Sequence, residues 1–163
     1  MKARWILVAG LALLAAGCGG STTPSTATPS PSTPTPAPAS TAQVAQAYLS
    51  AAAAVDAAYT TWTGDLHAAN GNVLQLKSQA AAYAAVLTSF DSSIQGIGAT
   101  GQAAADIATL VTDDNAVIAD LNALPSQTAS TETAWDTKAI SDGLAAVAQG
   151  DVVRADLGLP ASS

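Results

Sequence analysis

From Thr41 onward, apolar residues recur at steps of three and four, the spacing that puts them on one face of an α-helix. The first such stripe is Val44, Tyr48, Ala51, Val55, Ala58, Trp62 and Leu66, predicting a helix over about 42–69 that stops at Asn70-Gly71-Asn72. A second stripe, Leu76, Ala80, Tyr83, Leu87, Phe90 and Ile94, predicts a helix from Asn72 to about Gln95, with Asn72 as its cap and Gln75 completing a capping box. The glycine-rich run 96–101 separates it from a third helix over about 101–124, with Ala103, Ile107, Leu110, Asp114, Val117, Leu121 and Leu124 on its seam. Pro125-Ser126 stops that helix. The fourth covers about 130–157, with Ile140, Leu144, Val147, Asp151 and Arg154 on its seam and Gly158 and Pro160 closing it. Short connections between helices of similar length predict an all-α fold, an antiparallel up-down-up-down four-helix bundle over 41–163.

Residues 1–40 follow a different pattern. Lys2 and Arg4 precede an apolar run from Trp5 to Ala16, and Ala15-Ala16-Gly17 lead into Cys18, which is the only cysteine in the sequence. The run of 12 residues suits an export signal and is too short to span a bilayer. Leu14-Ala15-Ala16-Gly17-Cys18 resembles the lipobox of bacterial lipoproteins, with its leucine one place further from the cysteine than is usual in that class. The resemblance implies a signal peptide over 1–17, cleavage before Cys18, and a thioether from the Cys18 sulfur to a diacylglyceryl group carrying palmitate-type acyl chains. It further implies a protein lipid-anchored at the bacterial cell membrane on the extracytoplasmic face. More than one acyl chain gives stable anchoring where a single chain is marginal.

Gly19 to Ser40 contains only Gly, Ser, Thr, Pro and Ala, with 6 prolines in 22 residues. With no large side chain to bury, nothing offsets the entropy of ordering it, so 18–40 is expected to be a disordered linker. Its reach is roughly 25 Å as a coil and about 70 Å when extended.

Composition narrows the function. The chain has 163 residues, 12 acids, 5 bases and one His. Removing 1–17 leaves Lys77, Lys138 and Arg154 against the 12 acids, a net charge of −9, which disfavours nucleic acid and anionic lipid as partners. Of 40 alanines, 32 fall in 41–163, where they favour helix and allow helices to approach closely. A Glu plus Glu-x-x-His metal set, a haem-attachment motif, a phosphate loop and a nucleophile elbow are all missing from the sequence. No cofactor is therefore expected, and the protein reads as a non-enzyme.

A few polar residues stand out from the helical pattern. Asp114 lies on a core seam, and mirroring the hairpins about their loops places it in a layer with Tyr83, Tyr59 and Ile140, with no second acid. Asp151 and Arg154, three apart on one face, are expected to form an ion pair. Asp106, Asp113 and Asp120 repeat every seven residues off the seam, as a solvated stripe does. His67, level with Glu132, reads as a surface residue. Trp62 and Trp135 share a layer and read as core packing. These features favour a lipid-tethered module that binds a protein or serves as an accessory piece of an envelope complex. The alternative is a carrier holding a small ligand between the helices near Trp62, Trp135 or Asp114.

Overall fold

The structure, a computed structural model, describes residues 39–162. The segments expected to be a signal peptide and a linker lie outside the described residues, as does Cys18, save for Ala39 and Ser40. The described chain is all-helical and contains no strand. It has four α-helices: α1 (Thr41–Ala68), α2 (Lys77–Gln95), α3 (Gly101–Ala123) and α4 (Glu132–Asp156). Short 3-10 turns over Val73–Leu76 and Leu124–Ser126 lead into α2 and out of α3.

The helix ends follow from local chemistry. Ser40 and Gln43 form a reciprocal capping box at the start of α1: Gln43 N–H donates to Ser40 Oγ, and Ser40 N–H donates to Gln43 Oε1. The box expected at Asn72 is not formed, because a 3-10 turn intervenes and the Asn72 side chain makes no capping bond. α1 closes with Asn70 at φ 53°, Asn70 N–H donating to His67 O and Gly71 N–H to Leu66 O. α4 closes in the same way around Gly158 at φ 70°, with bonds from Gly158 N–H to Ala155 O and from Leu159 N–H to Arg154 O. Both are Schellman closures, which need one residue in the left-handed region. Within the helices most Ser and Thr hydroxyls donate to the carbonyl four residues back, as at Thr60, Thr88, Ser92 and Thr112. Those hydroxyls thereby satisfy themselves within their own helix.

Each helix packs on the next: α1 on α2, α2 on α3 and α3 on α4, while α1 and α4 touch each other far less. The core has two clusters. One joins Val44, Ala45, Tyr48 and Ala52 of α1 to Phe90, Ile94, Ile107, Leu110, Val111, Val153 and Leu157. The other joins Val73, Leu76, Ala80, Ala84 and Leu87 to Leu121, Leu124 and Trp135. Half-buried Val55 packs against both. Tyr48 meets Phe90 edge-on at 5.9 Å between ring centres, and Trp62 lies tilted on Tyr83 at 5.8 Å.

α4 departs from the sequence expectation. Its buried residues are Trp135, Ala146 and Val153, followed by Leu157 just beyond its end. Ile140, Leu144 and Val147, expected on the seam, are 56%, 66% and 58% exposed. The helix has turned so that Ala139, Ala146 and Val153 face inward while Ile140, Leu144 and Val147 face water.

Candidate functional site

Asp114 is buried, as its place on the α3 seam implied, at 5% exposure. The expectation of an isolated acid fails, because Asp91 of α2 is buried beside it at 6% exposure and the two carboxyls share a hydrogen bond. Burial, reinforced by the neighbouring Asp91 charge, pushes the Asp114 carboxyl up to about 8. Burial also raises Asp91, while the bond from Asp114 opposes that rise. At neutral pH the Asp114 carboxyl therefore keeps its proton and donates it to the Asp91 carboxylate. Asp91 Oδ1 and Asp114 Oδ2 are buried with no hydrogen-bond partner. The pair sits where the two core clusters meet, between Leu87 and Ile94 on α2 and between Val111 and Leu121 on α3. Tyr48 and Tyr83 feel the Asp114 charge, but burial is the main reason both phenols rise to about 12.

Asp120 also departs from its expected place on a solvated stripe. It is 5% exposed, and its Oδ1 accepts from Lys138 Nζ at 2.7 Å while its carbonyl accepts from Trp135 Nε1 at 2.8 Å. Lys138 also reaches Asp142 at 2.6 Å, which holds the Asp142 carboxyl below its usual range. This fastens the start of α4 to the end of α3. Further along, the Gln149 amide donates to the Asp106 carbonyl at 3.1 Å. Asp113 is half-buried.

Asp151 and Arg154 do not form the expected ion pair. Arg154 Nε donates to Pro160 O at 2.7 Å, and Asp151 Oδ1 accepts from both the N–H and the hydroxyl of Ser162 at 2.8 Å. The Ser162 bonds hold the Asp151 carboxyl below its ordinary value. The two side chains clasp the tail instead, folding residues 157–162 back so that Leu157 is buried and Leu159 packs on the core. Lys77 is likewise taken up internally, donating to the carbonyls of Pro125 and Gln127.

Trp135 is buried and Trp62 packs at the edge of the same cluster. His67 is exposed, and no group of three metal-ligating side chains occurs among the described residues. Two open clefts stand out among the described residues. One of about 450 Å³ lies between α1 and α2 over Phe90, edged by Ser50, Ala54 and Ser89. The other, about 230 Å³, is bounded by Ala39, Val44, Thr100, Asp156 and Leu157. No described helix is long and apolar enough to cross a membrane.

The most exposed apolar feature among the described residues is the α4 face formed by Ile140, Leu144 and Val147. The three aliphatic residues leave on the order of 300 Å² of apolar side chain in water, in the range that marks interaction surfaces. Spacings of four and three residues align them along one side of the helix. Comparison with known proteins found no matching family model, no similar curated sequence and no matching solved structure.

Proposed function

We propose that this chain is a lipid-tethered, extracytoplasmic helical module that binds a protein and catalyses no reaction. The observation that carries the binding reading is the exposed Ile140–Leu144–Val147 face, because a helix in an acidic, otherwise water-facing position has no folding reason to present three aliphatic residues in a row. The lipobox-like Leu14–Cys18 segment and the Pro/Ser/Thr-rich linker support the tether, which places the module on the outer side of the cell membrane. For the architecture we infer an antiparallel up-down-up-down bundle. Its support is the pairing of early Tyr48 with late Phe90 and of late Trp62 with early Tyr83 between α1 and α2, and of late Asp120 with early Lys138 and early Asp106 with late Gln149 between α3 and α4, the crossed order that antiparallel neighbours give. The carrier reading gains less support, since Trp62, Trp135 and Asp114 are engaged with Tyr83, the Asp120 carbonyl and Asp91.

The test is site-specific photocrosslinking in intact cells, with a photoreactive residue at Leu144 and, as control, at exposed Ala105 of α3. A discrete adduct from position 144 that is missing from position 105 is the expected result. Equal labelling from both positions, or none from either, would overturn the reading.

A further inference from the structure

We propose that the α4 face receives an amphipathic helix whose apolar stripe is flanked at both ends by Lys or Arg. The inference rests on the reading of this face as the contact surface and adds the chemistry of the partner.

The apolar strip is short and bounded by acids. Asp136 precedes Ile140 by one turn, and Asp151 follows Val147 by one turn. Fifteen residues separate the two acids, about 22 Å along the helix. Gly143 lies within the strip, and a Cβ built there would meet nothing within 4 Å, so another helix can come close at its centre. None of the three cations among the described residues forms a salt bridge with either acid. Lys138 holds Asp120 and Asp142, Lys77 holds two backbone carbonyls, and Arg154 holds the Pro160 carbonyl. Asp151 gives one oxygen to Ser162, and its second lies outside those bonds. A partner with aliphatic residues at matching spacing and a cation one turn beyond each end answers every group on this strip.

The other occupants fit worse. Two copies of α4 packed antiparallel about Gly143–Leu144 would set Asp136 of each against Asp151 of the other, and parallel packing would set each acid against itself. Like charges at such positions are destabilising. The linker Gly19–Ser40 carries no large apolar residue with which to cover the face. An anionic lipid surface is repelled by the same acids.

The experiment uses the unit Pro36–Ser163, which is compact in itself and contains both core clusters. Three labelled helical peptides serve as probes. The first carries three leucines spaced by four and three residues with Lys one turn beyond each end. The second has Glu in place of the Lys residues, and the third has the composition of the first with its leucines scattered. Fluorescence anisotropy is expected to give a Kd of tens of micromolar for the first peptide, at least tenfold weaker binding for the other two, and several-fold weakening as salt rises from about 25 to 250 mM. Leu144→Ser should abolish the binding. Asp136→Asn with Asp151→Asn should weaken the Lys peptide alone, with circular dichroism unchanged in every variant because Asp136 and Leu144 are exposed and an Asn at 151 keeps an amide oxygen for the Ser162 bonds. Equal affinity for the Lys and Glu peptides would overturn the charge-matched partner while leaving the face as a contact surface. Self-association broken by Leu144→Ser, or Leu144-dependent binding to phosphatidylcholine vesicles, would replace this partner with a second copy or a lipid surface. A monomer that binds none of these probes would overturn both the partner and the contact surface.

Discussion

The buried Asp91–Asp114 pair is expected to make the protein respond to pH in the opposite sense to ordinary acid denaturation. Asp114 keeps its proton to about 8 in the folded state, whereas in the unfolded chain it loses the proton near 3.8. Below 3.8 both states are protonated and the shift has no effect. Between 3.8 and about 8 the unfolded state gains by ionising while the folded state cannot, so stability falls by about 1.4 kcal/mol per pH unit. From pH 4 to pH 7 that accumulates to at most about 4 kcal/mol, a large part of the 5–15 kcal/mol typical of a domain. The raised Asp91 adds to the same slope. The lowered carboxyls of Asp106, Asp142 and Asp151 act oppositely, stabilising above 3.8 and losing that contribution only as pH falls below it. Maximum stability is therefore expected near pH 4–5. The perturbation is Asp114→Asn, which keeps the shape and lets the amide donate to Asp91 at any pH. Urea unfolding followed by circular dichroism at intervals from pH 4.5 to 8.5 is the assay. The wild-type midpoint should fall steadily with pH, while the variant should match it near pH 4.5 and exceed it by several kcal/mol at pH 7.5. A wild type more stable at pH 8 than at pH 4.5, or a slope unchanged in both Asp114→Asn and Asp91→Asn, would refute the shared-proton account.

Three further outcomes are expected. Cys18→Ala should shift the protein from the detergent phase to the aqueous phase in Triton X-114 partitioning, or leave it as uncleaved precursor; unchanged partitioning of a processed protein would end the tether proposal. Leu124→Ala, at a fully buried position, should cost about 2–5 kcal/mol in chemical denaturation, whereas Leu144→Ala should cost under about 0.5 kcal/mol; a comparable cost for the two would mean that the α4 face is covered. Trp135→Phe should lose about 1–2 kcal/mol by removing the bond to the Asp120 carbonyl, measured as a lowered midpoint with an unchanged denaturant slope.

The positions of the four helices were legible because strong breakers separate them: Asn70-Gly71, the glycines from 96 to 101, and Pro125. The facing of α4 was not. Ile140, Leu144 and Val147 make a better-looking seam than the one used, which runs through Ala139, Ala146 and Val153. Alanine fits either side of a helix, so in a chain this rich in it the pattern of large residues no longer tells which face is buried. The acid at 114 was visible as a polar break in an apolar stripe, but its partner was not. Mirroring about the 96–100 connection pointed to Tyr83, eight residues from Asp91, because a five-residue glycine-containing loop lets α3 slide along α2 by a turn or more. Asp151 and Arg154 were recognised as an unusual pair, yet a terminal segment lying back along its own helix leaves no mark in periodicity, so their use as a clasp was hidden.

The cleft bounded by Ala39, Val44, Asp156 and Leu157 brings the beginning and the end of the folded unit to one pole. Leu144 lies 12 residues up α4 from Asp156, about 18 Å along its axis. The chain enters at Ala39, at the foot of α4, and its described end, Ser162, is held against Asp151, five residues up that helix or about 7 Å along its axis, so the two ends lie near each other. The same nearness of ends makes the unit a candidate for circular permutation, with a new break placed between Gln127 and Thr131, where exposed turns at the opposite end of α4 carry little of the core.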